Sequence, residues 1–190
     1  MKELVVLVGF PGSGKTSFRN RHPEWAVISK DDIRRNVFHC DFDLEYEDAV
    51  NRIFAAMLVE AVDSPAQVVC VDNTNLTRAE RAPLIEVAKI SGRLPIAYVM
   101  PILPWQILYA RKLQQLEELS RIRPDVRIGG FPEERYEMMY NRYEEVSEQE
   151  GFARVFRDVD VIPAPQRTHR RRRTRTKAVT KLEPLPLFVQ

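Results

Sequence analysis

The segment Gly9-Phe10-Pro11-Gly12-Ser13-Gly14-Lys15-Thr16 decides how the rest of this 190-residue chain is interpreted. It directly follows the apolar run Leu-Val-Val-Leu-Val at 4–8 and matches the pattern G-x-x-x-x-G-K-[ST]. A continuously apolar strand is typical of a parallel sheet covered on both faces, and glycines permit the positive φ angles that turn successive N–H groups towards an anion. The segment therefore predicts a phosphate-binding loop between a first strand and a helix that begins near Gly14.

The residues of this loop have distinct expected roles in nucleotide binding. Its backbone amides form an anion cradle, to which the helix N-terminus adds its dipole. Lys15 is expected to reach the β- and γ-phosphates, and the Thr16 hydroxyl to help hold Mg²⁺. The sequence therefore predicts ATP and Mg²⁺ as ligands. The expected nucleotide-binding residues are Gly9, Pro11, Gly12, Ser13, Gly14, Lys15, Thr16 and Ser17.

Further candidate site residues follow the apolar run at 25–28, which predicts a second strand. In open α/β sheets ligands bind at the carboxyl ends of the strands, so these residues are expected to face the phosphate loop. Phosphoryl transfer needs a carboxylate near the acceptor hydroxyl, and Asp31 is the candidate. Asp31 could instead cap the next helix, the role expected for Asp32. One turn on, Arg34 could contact an acceptor phosphate, whereas Arg35 is expected to face solvent.

The third predicted strand, at 68–72, ends in an acidic residue. Four apolar residues followed by Asp72 form the Walker B pattern. After a phosphate loop, this pattern indicates that Asp72 either joins the Mg²⁺ shell, through water, or orders the following loop by hydrogen bonds. Asp72 and Asn75 are also candidate substrate-binding residues.

An arginine-rich lid is predicted beyond a helix with a capping box at 77–80 and a fourth strand at 94–99. The next helix begins at Pro104-Trp105 and carries Arg111, and the segment 121–130 then combines arginines with a proline stop and a Gly-Gly hinge. Such a segment could swing cations over the γ-phosphate and offset charge in a loose transition state. A solvated basic loop is the alternative.

These segments together predict an α/β fold: a P-loop NTPase with a parallel sheet of about five strands flanked by helices. A helix at 131–147, with its aromatic residues in the core, and a fifth strand at 152–156 would complete it. The length favours one domain, expected to span residues 1–162. Residues 163–190 form a separate basic tail.

The charge of the chain is unevenly distributed. Although the formal net charge is +2, eight of the 29 Lys and Arg residues lie at 167–181, a stretch without acids, so residues 1–160 are mildly acidic. The tail is expected to be disordered, and its composition suits a polyanion such as nucleic acid. A solvated tail that aids solubility is the alternative.

Cysteine usage and hydropathy favour a cytoplasmic protein. Cys40 and Cys70 lack the spacing of metal ligands, and Cys70 lies in an apolar strand, so it is expected to be a buried, reduced thiol. No apolar stretch has membrane-spanning length, and Met1 leads straight into the first strand. Neither a zinc site, a membrane partner nor a signal peptide is expected.

The combination of these motifs resembles the kinase domain of phage-type 5′-hydroxyl polynucleotide kinases, within a wider P-loop kinase group that includes zeta-toxin-like enzymes. The resemblance covers residues 2 to about 148. The phosphate loop alone is common to many NTPases, whereas the Asp-Asp-x-Arg and Asp-x-Thr-Asn-Leu elements are more selective. The matching elements are the loop at 9–16, Asp31-Asp32-Ile33-Arg34, Asp72-Asn73-Thr74-Asn75-Leu76, Pro104-Trp105 and the arginine-rich segment before Pro132.

The resemblance implies specific roles. Asp31 would act as general base on the 5′-hydroxyl, Arg34 would bind the phosphate of the acceptor strand, and Asp72 would support the site. The lid cation would be Arg111 or Arg127. Arg123 remains a competitor, because the intervening segment is longer here than in the family.

Two features near the C-terminus bear on partners and on a second activity. Asp158-Val159-Asp160 superficially resembles the Asp-x-Asp of a haloacid-dehalogenase-type phosphatase, but Gly-Thr does not follow, so no 3′-phosphatase activity is expected.

The terminal peptide Leu185–Phe188 resembles the Leu-x-Leu-Phe core of sliding-clamp-binding peptides, without their leading Gln. It could dock on such a clamp or another partner, or be an uninformative apolar terminus.

Three functions are compatible with these patterns. The favoured one is ATP-dependent phosphorylation of the 5′-hydroxyl end of DNA or RNA, in repair or end healing. A metabolite kinase of the same fold, acting on a nucleotide sugar, sugar or nucleoside, would share the phosphate loop and Asp31. A nucleotide-dependent binding module that hydrolyses ATP slowly is the third.

Overall fold

Residues 1–157, described by a computed structural model, contain a parallel five-stranded sheet flanked by helices. The strand order is β2-β3-β1-β4-β5, and every neighbouring pair is parallel. The predicted fold class is therefore confirmed. The strands are β1 Glu3–Val8, β2 Ala26–Ile28, β3 Val68–Asp72, β4 Leu94–Val99 and β5 Arg154–Phe156. The helices are α1 Lys15–Arg19, α2 Lys30–Val37, α3 Glu47–Asp63, α4 Arg78–Ile90, α5 Trp105–Ile122 and α6 Glu133–Tyr140, with 3₁₀ turns at Leu44–Tyr46 and Glu148–Glu150.

The central strand β1 explains why its sequence is apolar without alternation. Leu4, Val6 and Val8 point into the cluster formed with α3 and α4, while Val5 and Leu7 point into a second cluster on the other face. All five are fully buried. A strand covered on both faces has no position for a polar residue, so its hydropathy pattern loses the period of two.

A third cluster packs α5 and α6 against the phosphate loop. It consists of Phe10, Leu76, Leu108 and Tyr136, all buried, with the Phe10 ring stacked on Tyr140 at 4.6 Å between centroids. The Phe10 side chain of the loop therefore packs against Leu108 of α5 and against Tyr136 and Tyr140 of α6. This packing fixes the position of α5 beside the nucleotide-binding edge of the sheet.

The end of helix α6 differs from the sequence prediction. The helix α6 ends at Tyr140 instead of 147, because the chain turns at Asn141 and Glu144 then donates its N–H to the Leu76 carbonyl at 3.0 Å. This bond ties the following segment to the β3–α4 loop. Tyr136 is nevertheless fully buried, as expected for an aromatic residue of this segment, and Val146 is fully buried too.

The capping box of α4 is confirmed, since Thr77 and Glu80 exchange side-chain and backbone hydrogen bonds at its start. Cys40 and Cys70 are buried free thiols. No helix within residues 1–157 is long and apolar enough to cross a membrane. The basic tail at 163–190, which includes Leu185–Phe188, and the Asp158-Val159-Asp160 motif lie outside the described residues.

Candidate active site

The phosphate loop adopts the backbone conformation that its glycines predict. Gly12 and Gly14 have φ angles of 82° and 95°, in the left-handed region that other residues rarely adopt. A Cβ atom on Gly12 would lie 2.3 Å from the Leu108 carbonyl oxygen of α5. Glycine is therefore required at this position both for its conformation and because α5 approaches the loop so closely.

Hydrogen bonds from three parts of the chain hold this loop in place. Gly9 donates its N–H to the Thr74 carbonyl at 3.0 Å, and the Tyr136 hydroxyl donates to the Pro11 carbonyl at 2.6 Å. The Lys15 ammonium donates to the Gly9 and Phe10 carbonyls at 2.7 and 2.9 Å. Burial lowers the pKa of Lys15 more than nearby carboxylates raise it. Lys15 is thus a desolvated cation at the loop.

The phosphate loop and the end of β2 open into the same cleft, of about 780 Å³. Parallel strands bring their carboxyl ends to one edge of the sheet, so residues far apart in sequence meet there. The cleft is lined, among others, by Gly12, Lys15, Thr16, Asp31, Asp72 and Lys112.

The carboxylate of Asp31 is open to this cleft and does not cap a helix. Ser29 is the N-cap of α2, its hydroxyl accepting the Asp32 N–H at 3.3 Å. The Asp31 side chain is 52% exposed and accepts a hydrogen bond from Arg34 at 2.7 Å. The capping role considered for Asp31 and Asp32 is therefore wrong.

The charge state of Asp31 is controlled by cations around the cleft. Desolvation raises the pKa of the Asp31 carboxyl, but Lys112 and Arg35 lead the cations that outweigh it, leaving the pKa below its ordinary value. An ionised carboxylate is the form that can accept a proton from a hydroxyl group.

Arg34 is already engaged by two carboxylates. Its guanidinium donates two hydrogen bonds of 2.7 Å to Glu47 of α3 and a third of 2.7 Å to Asp31. This arrangement orients the Asp31 side chain. To bind an acceptor phosphate, Arg34 would have to exchange one of these partners.

Asp72 lies at the end of β3 beside Arg19 of α1. The Arg19 guanidinium bridges Asp72 at 3.2 Å and Asp32 at 2.7 Å. Burial raises the pKa of Asp72, although Lys15 and Arg19 partly oppose that effect. A bound cation would hold this buried carboxylate in its charged form.

The oxygens of Thr16 and Asp72 fit a magnesium–nucleotide complex. Mg²⁺ commonly takes one or two protein ligands together with substrate phosphates and water. Both side chains line the cleft beside the loop. Residues 1–157 contain no cluster of three or more His, Cys, Asp and Glu side chains that could cage a metal by themselves. The available donors therefore suit a metal that arrives with phosphates.

Comparison with known families agrees with this geometry. Residues 4–127, from β1 to the segment beyond α5, match the profile described as an AAA domain. The chain belongs to the AAA domain family. No curated protein sequence matches the chain. The AAA domain contains the phosphate loop, Asp31 and Asp72, which are the residues that meet in the cleft.

Solved structures share the fold of this AAA domain. A candidate kinase from Chloroflexus aurantiacus has a TM-score of 0.61 at 15% identity, covering 84% of this chain and 92% of its own. A protein of the PezAT toxin–antitoxin system of Streptococcus pneumoniae has a TM-score of 0.53 at 18% identity, over 67% of this chain. A chain of the Pnkp1/Rnl/Hen1 complex has a TM-score of 0.50 at 23% identity, over 58% of this chain.

The present chain spans 57% of the PezAT chain and 38% of the Pnkp1/Rnl/Hen1 chain. Sequence identities of 15–23% show a shared P-loop kinase fold and do not identify the substrate that accepts the phosphoryl group. Family and fold together show a P-loop kinase fold that carries a nucleotide-binding loop. The narrower resemblance to phage-type polynucleotide kinases stays a prediction.

The side chain of Asn75, in the AAA domain, is hydrogen-bonded to the backbone of β1. Asn75 has a φ of 49°, and its side-chain amide donates to the Leu7 carbonyl at 2.7 Å. Its side chain is almost fully buried at the edge of the cleft. This position holds the end of β1 against the β3–α4 loop, and the substrate-binding role of Asn75 stays a prediction.

The three arginines expected in the lid do not line the cleft. Arg111 is exposed on α5. Arg123 binds Asp125 through two hydrogen bonds of 2.9 Å and also donates to Asn36. Arg127 pairs with Asp43.

The segment that carries Arg123 and Arg127 is joined to the residues after α2 by backbone hydrogen bonds. Arg127 donates its N–H to the His39 carbonyl at 2.7 Å, and Asp41 donates to the Arg127 carbonyl at 3.1 Å. Catalytic roles for Arg111, Arg123 and Arg127 stay predictions, and each would require the side chain to move.

Other cations occupy the wall where lid arginines were expected. Lys112, Arg35 and Arg135 line the cleft, and the expectation that Arg35 faces solvent is wrong. One sequence signal could have identified Lys112. It lies four residues from both Leu108 and Leu116, on the buried stripe of α5, where a lysine is unusual.

Proposed function

We propose that this protein transfers the γ-phosphoryl group of ATP to the 5′-hydroxyl end of a polynucleotide, as a nucleic-acid end-healing or repair kinase. The observation that carries this proposal is the single cleft lined by both the phosphate loop and Asp31. A donor phosphate held at the loop and an acceptor hydroxyl held at Asp31 would face each other across it. Positioning of this kind supplies much of the catalysis in phosphoryl transfer.

The residues at the loop and around Asp31 have distinct roles in this reaction. The loop amides and Lys15 bind the donor phosphates, and Asp31 orients the acceptor hydroxyl and accepts its proton. Thr16 and Asp72 would hold Mg²⁺, which offsets phosphate charge when bound. Arg34 keeps the Asp31 carboxylate directed into the cleft through its 2.7 Å hydrogen bond.

Aromatic and guanidinium groups on the acceptor side of the cleft support a nucleic-acid substrate. The Arg135 guanidinium lies 4.0 Å from the Phe42 ring centroid and 5.9 Å from that of Phe131, and all three residues line the cleft with Arg35. Aromatic rings and arginine planes stack nucleobases, and arginines bind phosphodiesters. A terminal nucleoside followed by a phosphate therefore suits this wall better than an uncharged sugar does.

A transfer assay with γ-labelled ATP tests this function. The acceptors are 5′-hydroxyl DNA and RNA oligonucleotides of matched sequence, the same oligonucleotides with a 5′-phosphate, and a panel of sugars, nucleosides and nucleotide sugars. We expect label on at least one 5′-hydroxyl oligonucleotide and none on its 5′-phosphorylated control. A Phe42→Ala variant should raise the KM for the oligonucleotide more than that for ATP.

Two results would contradict the proposal. Transfer to a metabolite with none to either oligonucleotide would assign a small-molecule kinase of the same fold. Slow ATP hydrolysis without transfer to any acceptor would assign a nucleotide-dependent binding module.

A further inference from the structure

Lys112, in the middle of α5, is a buried cation that the roles assigned above do not use. Only 9% of the residue is exposed. Among the residues that the structure describes, no carboxylate lies within ion-pair distance of its ammonium and no acceptor is hydrogen-bonded to it. The Phe131 ring lies at some distance, with its centroid 5.9 Å from the Lys112 nitrogen.

The backbone of Lys112 lies against the phosphate loop. A Cβ atom on Gly12 would be 3.2 Å from the Lys112 backbone nitrogen and 2.3 Å from the carbonyl oxygen of Leu108, one turn earlier. The aromatic cluster under the loop includes Leu108 and holds this turn of α5 in place. The backbone of Lys112 therefore lies on the side of the cleft where donor phosphates would bind.

The ammonium of Lys112 faces the acceptor side of the same cleft. Asp31 is the charged group that acts on it most strongly, followed by Arg35 and Asp41, and its charge also acts on Lys15. The Lys112 side chain thus lines the cleft that holds both the loop and Asp31, and its backbone lies against the loop. A phosphoryl group transferred within this cleft would move along a wall that includes Lys112.

Burial of the Lys112 ammonium at this position costs free energy unless an anion occupies the cleft. Removing an ammonium from water is unfavourable, and the nearby positive charges of Lys15, Arg34 and Arg35 add to the cost. Burial indeed lowers the pKa of Lys112 more than the Asp31 carboxylate raises it. A negatively charged ligand between the loop and Asp31 would offset this cost.

We propose that Lys112 is a catalytic residue whose ammonium contacts the phosphoryl group during its transfer. This inference rests on the proposed function. As the bond between the γ-phosphorus and the β–γ bridging oxygen breaks, the acceptor oxygen bonds to phosphorus, its proton passes to Asp31, and ADP leaves. Lys112 keeps its proton throughout and offsets charge on the non-bridging oxygens of the moving group.

Two variants and a matched control test the proposal. Lys112→Met keeps the apolar stem and removes the charge, Lys112→Arg keeps the charge, and Lys89→Met removes an exposed lysine on α4. We expect Lys112→Met to lower kcat about 10²- to 10³-fold while the KM for ATP changes little. Lys112→Arg should recover part of the loss, and Lys89→Met should resemble the wild type.

A binding measurement separates this role from the identity of the acceptor. Aluminium fluoride added to ADP and Mg²⁺ mimics a phosphoryl group in flight, and the affinity is measured by calorimetry for ADP with and without it. We expect wild-type protein and Lys89→Met to bind ADP more tightly when aluminium fluoride is present. Lys112→Met should bind ADP normally and lose the tightening.

The inference is overturned if Lys112→Met retains wild-type kcat and tightening, or if Arg111→Ala loses both while Lys112→Met does not. Weaker binding of ADP itself by Lys112→Met would also contradict it, because the lysine would then serve the ground state. If the wild type phosphorylates only metabolites, the proposed polynucleotide function fails while the tightening experiment still decides the role of Lys112.

Discussion

Asp31 lies where two effects act in opposite directions on one carboxyl group. Desolvation in the cleft disfavours its charge, while the cations around it, chiefly Lys112 and Arg35, favour it. The cations prevail, so the carboxylate is ionised and ready to accept a proton. The choice of Asp31 from the sequence rested on the end of the second strand, and the structure does place it in the cleft with Lys15.

The pH dependence of transfer follows from the directions of two pKa shifts. A depressed pKa keeps Asp31 ionised down to below the ordinary carboxyl range of about 4. Lys112 faces Asp31, Asp41, Arg34 and Arg35, and its lowered pKa means that it loses its proton as pH rises through a value below 10.5. We expect kcat/KM to be flat from about pH 5 through neutrality and to decline in alkali.

The Lys112→Arg variant is the control for this profile. Arginine does not titrate in the accessible range, so the variant should lose the part of the alkaline decline that comes from Lys112 and keep the part that comes from Lys15, whose pKa burial also lowers. An acid limb above about pH 6 that persists in Asp72→Asn would contradict the depressed pKa of Asp31, because the raised pKa of Asp72 could then not account for it.

Helix α5 shows which local features the sequence revealed and which it did not. Its start at Pro104-Trp105 and its approximate length were predicted correctly. The sequence did not predict which charged residue of α5 lines the cleft. Arg111 and Lys112 are adjacent, and only packing against the phosphate loop decides that Lys112 is the one that does. The hydrogen bond from Arg123 to Asn36 and the ion pair of Arg127 with Asp43 likewise join segments distant in sequence, which no local pattern reports.

The contact between α5 and the phosphate loop can be broken by one methyl group. Gly12→Ala would force a left-handed φ on alanine, which costs about 1–2 kcal/mol, and would place its Cβ 2.3 Å from the Leu108 oxygen. We expect ATP affinity to fall about tenfold or more, since 1.4 kcal/mol corresponds to a factor of ten. Calorimetric titration and thermal unfolding measure the two effects.

Gly130→Ala is the matched control for Gly12→Ala, because a Cβ atom there meets nothing within 4 Å. It should bind ATP as the wild type does and unfold at nearly the same temperature. Equal losses for the two variants would show that the approach of α5 to the loop is not the cause.

The link between α4 and the 3₁₀ turn at Glu148–Glu150 depends on one buried arginine. Arg81 is fully buried and donates to Glu150 at 2.7 and 2.9 Å and to the carbonyls of Asn75 and Leu76. Arg81→Met would leave the Glu150 carboxylate buried, with a hydrogen bond from the Ser147 N–H but without its counter-charge. We expect the free energy of unfolding in urea to fall by about 3–5 kcal/mol.

An exposed ion pair provides the comparison for Arg81. Arg142 pairs with Glu80 at 3.2 Å with its side chain 64% exposed, so Arg142→Met should cost no more than about 1 kcal/mol. Similar losses for the two substitutions would contradict the importance of burial at Arg81.

For the chain as a whole, the sequence specified the sheet better than the site. The apolar runs, the glycine loop and the capping box each act through local physics, and together they predicted five parallel strands. The cleft wall formed by Phe42, Arg35, Lys112 and Arg135 is a product of tertiary packing, so the sequence pattern alone did not assign it. The positive charges of this wall and of the basic tail would serve the same proposed task, binding nucleic acid, which the mildly acidic remainder of the chain would not favour.

The basic tail at 163–190 can be tested by deletion. If its Lys and Arg residues neutralise phosphates, a protein ending at residue 162 should bind oligonucleotides more weakly at low salt. On single strands, the slope of log K against log salt should become shallower by ~0.7 for each phosphate that the tail had neutralised. An unchanged slope would mean that the tail does not contribute to binding.

The role of Asp31 is tested most directly by Asp31→Asn, assayed for transfer from γ-labelled ATP to a 5′-hydroxyl oligonucleotide and for ATP affinity on the same preparation. Asparagine keeps the shape and cannot accept the proton, so we expect transfer to fall about 10²- to 10⁴-fold with ATP affinity unchanged. Asp32→Asn, which alters the neighbouring carboxylate paired with Arg19, should lose far less. Wild-type transfer by Asp31→Asn would contradict the assignment of Asp31 as the group that activates the acceptor.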